Sequence, residues 1–189
     1  MYPLYPGLET INFPAPIGRC ECFYTDGLST LLQTLRRARQ MDEKTIRWPG
    51  HAEQITTLID CGLLETKPVI FHNQPITPRE FVSNTLSRML ALGEERDLTL
   101  LRVEVSGKRH GRKMRRRYQM IDHYDGRHKI TSMARTTSFP CSIAAQILAS
   151  GRVQQKGLVP PEIAFTGDLR DELLDYVGRR GISIESKPI

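Results

Sequence analysis

Three neighbouring segments in the second half of the chain are rich in β-branched and aromatic residues. They are DLTLLRVEVSG (97–107), RRRYQMIDHY (115–124) and RHKITSMA (127–134), and turns that contain glycine separate them. Short runs of this composition between turn signals are typical of strands that pair with their sequence neighbours. The pattern therefore predicts an antiparallel meander in this part of the chain.

Helical segments lie on both sides of this meander. Before it, we predict helices over 26–39, where Asp26 gives a start signal, over 51–62, ending at Gly62, and over 77–90, where Thr77 and Pro78 precede Glu80 in a capping-box pattern. After it, we predict helices over 138–151 and 168–181. Short strands are predicted in ETINFPA, GRCECFYT, KTIRW (44–48), the hairpin KPVIFHNQPIT and ISIES. Because strands are grouped, we expect an α+β fold, with a mixed, largely antiparallel sheet and helices packed on one face.

Bulk composition narrows the class of protein. The chain of 189 residues has no run of eighteen apolar residues, so we expect no membrane span. Its first residues, MYPLYPGLETINF, do not resemble a signal peptide. The four cysteines are too sparse for a disulfide framework or a zinc site, so no metal is expected. These features favour a cytoplasmic protein with reduced thiols.

The net charge of +6 comes from one decamer, KRHGRKMRRR (108–117), which has seven basic residues and no acid. The rest of the chain carries 20 basic and 21 acidic residues. The decamer could bind the phosphates of a nucleic acid. Alternatively, it could be a solvated hairpin whose charges protect an exposed strand edge from pairing with another chain. Tyr118 is its only neighbouring aromatic residue and no nucleic-acid motif surrounds it, so we expect no nucleic-acid partner.

Nucleotide-binding loops need glycines at fixed spacing between a strand and a helix. The two glycine pairs that come nearest, in GKRHGRK and GRRGIS, lie in a predicted hairpin and after a helix. We therefore expect this chain alone to bind no dinucleotide.

Three predicted junctions between elements carry polar residues that could line a cleft. They are FYTDGLSTLL with Thr25 and Asp26, TIRWPGH with Arg47 and His51, and MARTTSFP with Arg135 and Thr136. Free N–H groups at a helix start, with an arginine nearby, favour a carboxylate. Each residue could equally cap its own helix or satisfy backbone carbonyls.

These junctions also carry a family resemblance. Five segments follow one another between about residues 18 and 162: FYTDGLSTLL, KTIRWPGHAEQI, LLRVEV, MARTTSFPCSIAAQIL and GLVPPE. Their order resembles the C-terminal domain of the saccharopine dehydrogenase family. This family includes saccharopine reductases and lysine 6-dehydrogenases. Trp48 stands where the family more often has tyrosine.

The resemblance implies a dehydrogenase in two parts. An N-terminal Rossmann domain would bind NAD or NADP, and residues 1–189 would be a single C-terminal domain for substrate binding and dimerisation. We expect the Rossmann domain to be absent from this chain, which would then be inactive alone. The implied substrate is a lysine-derived amino acid, with hydride transfer at its carbon–nitrogen bond.

The same resemblance suggests roles for the polar residues at the junctions. Arg47 and Arg135 suit the substrate carboxylates because a guanidinium is bidentate and permanently charged. His51 suits proton transfer near the nitrogen on pKa grounds, although it could instead orient Arg47 or cap its helix. Thr25, Asp26 and Thr136 are further candidates for substrate contact. We expect Arg47, His51 and Arg135 to share one cleft.

Two other functions are consistent with the same residues. One is a dimerisation module whose active site has lapsed, and burial of the candidate residues in ion pairs would favour it. The other is a nucleic-acid-binding protein that uses the basic decamer, and steeply salt-dependent binding to oligonucleotides would favour that.

Overall fold

A computed structural model describes residues 5–91, 93 and 96–189. The chain divides into two compact units, Met1–Gly93 (unit 1) and Glu94–Ile189 (unit 2). Helices occur together with strands, and the described strand pairs are antiparallel. The predicted α+β class is therefore confirmed. The strands form three separate sheets, of three, two and three strands.

The first sheet of unit 1 has the order β1 (Glu9–Asn12), β2 (Arg19–Tyr24) and β3 (Lys44–Arg47). Side chains of the central strand alternate between two faces. Cys20 and Cys22 are buried on one face, while Glu21 and Phe23 lie on the other. All three strands were expected from the sequence.

The helix predicted over 26–39 is wrong. Only one short helix forms there, α1 (Leu31–Thr34), and Asp26 lies five residues before it rather than at its N-cap. Leu32 and Leu35, which were expected to face a core, are exposed. A short helix that buries no apolar face has little to stabilise it.

The rest of unit 1 follows the sequence prediction closely. It contains α2 (His51–Asp60), a hairpin of β4 (Val69–Phe71) and β5 (Gln74–Ile76), and α3 (Pro78–Leu90). Proline is the first residue of α3, as predicted, but the side chain of Thr77 makes no capping hydrogen bond.

Unit 2 is built on a sheet with the order β6 (Leu98–Arg109), β7 (Arg112–His123) and β8 (Ile184–Pro188). The predicted meander is correct for its first two strands. Its third strand, expected over 127–134, is wrong, because that segment makes one isolated bridge and then enters a helix. The strand β8, from the end of the chain, pairs with β7 instead.

Helices α4 (Ser132–Ala149) and α6 (Gly167–Arg179) pack together, and the short α5 (Pro161–Ala164) lies between them in sequence. They bury a core against the sheet. Its most buried members are Met120, Ile143, Ile147, Val177 and Ile182.

The basic decamer lies at the end of the β6–β7 hairpin, where the sequence placed it. His110 and Gly111 form the turn, with φ values of 50° and 76°. Two consecutive residues with positive φ suit the right-handed twist of the strands that they join.

Replacing Ile143 tests the core of unit 2. Ile143 is 2% exposed, so Ile143→Ala leaves a cavity and is expected to lower the free energy of unfolding by about 2–4 kcal/mol. Leu148, on the same helix, is 50% exposed, and Leu148→Ala should change this free energy by less than about 0.5 kcal/mol. Urea denaturation of the two variants measures the difference, and equal losses would contradict this core.

Candidate functional site

The turn between β3 and α2 presents two of the predicted site residues in unit 1. Arg47 is the last residue of β3, His51 is the first residue of α2, and Pro49 and Gly50 lie between them. Gly50 has φ +92°, a conformation that side chains with a Cβ rarely adopt. A proline followed by this glycine therefore sets a sharp change of direction between the two residues.

A carboxylate from the neighbouring strand holds this turn. Glu21 on β2 accepts hydrogen bonds from the backbone N–H groups of Gly50, at 3.2 Å, and Ala52, at 2.6 Å. Glu21 is also directly opposite Arg47 in the antiparallel register. The N-terminus of α2 is thus occupied by a carboxylate of the chain itself.

Aromatic rings form the surroundings of His51. Its imidazole is stacked on the buried ring of Phe23, with centroids 6.3 Å apart and planes 6° from parallel. Tyr5 meets Phe23 edge-on at 4.5 Å and lies 6.2 Å from His51. Burial and the Glu21 carboxylate raise the pKa of the Tyr5 phenol, and the Arg47 guanidinium opposes this rise in the pKa.

Arg47 lies at the surface of unit 1. Its side chain is exposed, and its guanidinium donates to the carbonyl of Ile46 at 3.4 Å. Among the residues that the structure describes, Arg47 takes part in no ion pair. Its charge is therefore available to an anion.

Thr25 and Asp26 lie at the other end of the same sheet. The hydroxyl of Thr25 donates to the carboxylate of Glu43 and lies 2.9 Å from the hydroxyl of Thr45. Three register positions separate the Glu21–Arg47 pair from the last pair of β2 and β3. At 3.3 Å per residue this is about 10 Å, so unit 1 does not bring Thr25 and Asp26 next to Arg47.

The start of α4 in unit 2 is also filled by a carboxylate. Asp97 accepts from the N–H groups of Ser132, at 2.6 Å, and Met133, at 2.8 Å. The side chain of Thr131 accepts from Ala134. The expectation that Arg135 and Thr136 precede a helix with free N–H groups is wrong, because both lie inside α4 and its first N–H groups have partners.

Arg135 is buried, with 8% of its surface exposed. Its guanidinium lies 3.5 Å from Asp122 and 3.3 Å from Asp125, and it donates to the carbonyl of Arg180 at 3.1 Å. Its charge is therefore already compensated within unit 2. The hydroxyl of Thr136 donates to the carbonyl of Ser132 one turn earlier in α4.

Asp125 is the most strongly bonded acid of this network. It accepts from the N–H groups of Arg127 and His128 and lies 2.8 Å from Nδ1 of His128. The bond from the His128 ring is the largest cause, and together these contacts lower the pKa of Asp125 to about 2.

The predicted site residues therefore fall into three places. Arg47 and His51 are together in unit 1, Thr25 and Asp26 are at the far end of its sheet, and Arg135 with Thr136 is in unit 2. The cleft shared by Arg47, His51 and Arg135 stays a prediction.

The sequence analysis did not single out Glu21, Tyr5 or Asp97. Glu21 and Asp97 act on helices that begin about thirty residues later in the chain. Only the pairing register of β2 with β3 could have placed Glu21 opposite Arg47.

Two kinds of feature are absent from the described ranges 5–91, 93 and 96–189. These ranges contain no helix long and apolar enough to cross a membrane. They also contain no group of three or more histidine, cysteine, aspartate or glutamate side chains that could hold a metal ion.

Comparison with known proteins agrees with the earlier resemblance. Residues 2–182 match the family model described as "Saccharopine dehydrogenase C-terminal domain". One relative is the saccharopine dehydrogenase [NADP(+), L-glutamate-forming] of Schizosaccharomyces pombe, 30% identical over 128 residues. The match covers 64% of this chain and 27% of the relative, so the chain corresponds to about a quarter of that protein.

The acid titration of Asp125 tests the contacts of this carboxylate. The folded-state pKa of Asp125, about 2, lies below the ordinary value of 3.8. The bonds to this carboxylate therefore stabilise unit 2 at pH values above 3.8, and this stabilisation is lost as the pH falls through about 2. In His128→Ala the midpoint of the Asp125 carboxyl, followed by carbon NMR, should move up towards 3.8. His110→Ala, at the hairpin turn, is the matched control and should leave it unchanged. An unmoved midpoint in His128→Ala would show that the imidazole does not hold this carboxylate.

Proposed function

Because the chain belongs to the saccharopine dehydrogenase C-terminal domain family, we propose that it is the substrate-binding and dimerisation domain of an oxidoreductase. The enzyme moves a hydride between NAD or NADP and the carbon–nitrogen bond of a lysine-derived amino acid. The domain is inactive by itself, because hydride transfer needs the cofactor that the other part of the enzyme binds.

The exposed guanidinium of Arg47 is the observation that carries this proposal. A lysine-derived substrate has carboxylates, and arginine binds a carboxylate through two parallel hydrogen bonds. Arg47 is fixed at the end of a strand by a proline–glycine turn, and its charge has no carboxylate partner among the described ion pairs. A cation held in this way can orient a substrate for hydride transfer.

His51 is the candidate for proton transfer near the substrate nitrogen. It follows Arg47 by four residues across the turn, and its ring is held by the stack on Phe23. A ring fixed by packing keeps its nitrogens in one direction, which proton transfer requires. Orienting Arg47 is its alternative role.

Arg135 is a weaker candidate for a substrate carboxylate than Arg47. A substrate would have to displace Asp122 and Asp125, and breaking a buried ion pair costs about 3–5 kcal/mol. We propose that Arg135 mainly fixes the start of α4, with Thr136 on the same turn. Thr25 and Asp26 would contact a substrate only if it extended along the sheet.

The burial of Arg135 also favours the second candidate function, a dimerisation module without activity. A lapsed site keeps the residues that stabilise the fold and has no need of an exposed, unpaired cation. The free charge of Arg47 therefore favours the active enzyme domain over the module.

The cofactor is NAD or NADP, bound by the part of the enzyme that this chain does not include. The name of the S. pombe relative specifies NADP(+). This name describes the whole relative, and the match covers 27% of it. It therefore supports a cofactor for the whole enzyme and not for this chain alone. We expect no cofactor affinity in this chain alone.

A second copy of the chain is the proposed partner of the unit 2 sheet. β6 is an edge strand of twelve residues that pairs on one side with β7. Leu101, Val103 and Val105 alternate along it, and all three are exposed on one face. Pairing of two β6 strands across a twofold axis would satisfy the free edge and continue this apolar row.

Replacing Arg47 in the enzyme that joins this domain to its cofactor domain tests the proposed function. Arg47→Lys keeps the charge and loses the bidentate geometry, so kcat/KM should fall by about ten- to over a hundredfold, or about 1.5–3 kcal/mol. Arg39→Lys, another exposed arginine of unit 1, is the matched control and should keep full activity.

Thermal denaturation of the same variants separates a functional from a structural arginine. The melting temperature of Arg47→Lys should stay that of the unsubstituted protein. A lower melting temperature with unchanged kcat/KM would reverse the assignment of Arg47.

Light scattering tests the proposed dimer. The chain should scatter as a particle of twice 21.6 kDa, and Val105→Glu, which places a charge in the apolar row, should produce the monomer. Leu158→Glu changes a fully exposed residue outside this sheet and should leave the dimer intact. A monomeric unsubstituted chain would exclude the interface.

A further inference from the structure

Glu21 supplies a cap that α2 cannot make for itself. The N-cap residue of α2 is Gly50, which has no side chain to accept from the first N–H groups. Glu21 provides the missing oxygens from a neighbouring strand, one to Gly50 and one to Ala52. A carboxylate is also the charge that the positive end of the helix dipole favours.

Glu21 also lies between the two candidates for substrate contact and proton transfer. Its strand pairs it with Arg47, and its carboxylate is bonded to the N–H groups on both sides of His51. The turn therefore cannot rotate without breaking one of these bonds. The Glu21 side chain therefore ties the turn that joins Arg47 to His51 to strand β2.

The same carboxylate changes which anions the turn can accept. A helix N-terminus is normally a good anion site, because its free N–H groups point outward. At α2 these groups are already bonded to an anion, and a second carboxylate there would meet a like charge. Arg47 then remains as the anion-binding group of the turn.

We propose that Glu21 is a positioning residue that fixes Arg47 and His51 and closes the α2 N-terminus to substrate carboxylates. This role rests on the proposed function of the turn. The pKa of the Tyr5 phenol provides an independent measure of this arrangement, because the charges of both Glu21 and Arg47 act on it.

Glu21→Gln is the main test, since glutamine keeps the length and one acceptor oxygen but removes the charge. The titration midpoint of the Tyr5 phenol, assigned by comparison with Tyr5→Phe and followed by NMR, should fall in this variant. Asp97→Asn is the matched control, because it alters the equivalent cap of α4 and should leave the Tyr5 midpoint unchanged. An unchanged midpoint in Glu21→Gln would overturn the proposal.

Arg47→Gln keeps the test decisive if Glu21→Gln fails to fold. Removal of the guanidinium should raise the Tyr5 midpoint, because the charge of Arg47 opposes the rise caused by Glu21. A midpoint that stays constant or falls would show that the three groups are not coupled, and the proposal would fail.

Glutarate, a simple dicarboxylate, tests the closure of the helix N-terminus. In the unsubstituted chain it should shift the side-chain N–H signal of Arg47 and leave the amides of Gly50 and Ala52 unmoved. In Glu21→Gln these two amides should shift as well. Amide shifts in the unsubstituted chain would contradict the closure. An unmoved Arg47 signal would count against the proposed function, while the Tyr5 midpoint would still decide the role of Glu21.

Discussion

Two carboxylates that are distant in sequence, Glu21 on β2 and Asp97 just before β6, hold the starts of α2 and α4. The first N–H groups of any helix lack partners within the helix, and leaving one buried and unpaired costs about 1–3 kcal/mol. Glu21 provides partners for α2 and Asp97 does so for α4. The starts of α2 and α4 therefore depend on these two side chains.

This arrangement limits where the domain could bind the anionic substrate of the proposed function. Both helix starts already carry a negative charge, and Arg135 is paired with two aspartates. Arg47 is exposed and its guanidinium contacts a carbonyl. The proposed function therefore assigns recognition of a carboxylate to Arg47, on the turn that also carries His51. The fold already fixes the geometry of this turn through Gly50 and the Glu21 carboxylate.

The success of the sequence predictions depended on how local the determining contacts are. Runs of β-branched and aromatic residues between turns predicted β6 and β7, and Thr77 with Pro78 placed the start of α3 correctly. The helix over 26–39 failed although its apolar spacing suits a helix, because Leu32 and Leu35 are exposed in the structure and so do not stabilise it by burial. The strand over 127–134 failed because Asp97, at the start of the predicted meander, caps a helix there. The candidate site residues were chosen from the sequence and stay a prediction, while the position of Glu21 opposite Arg47 required the strand register.

Amide hydrogen exchange at the first turns of α2 and α4 tests the central claim most directly. The amides of Ala52, Ser132 and Met133 have no acceptor within their helices, so protection can come only from Glu21 and Asp97. These three amides should exchange far more slowly than in an unstructured chain, and about as slowly as amides in the middle of their helices. Exchange at the rate of an unstructured chain would show that the carboxylate caps do not hold the helix starts.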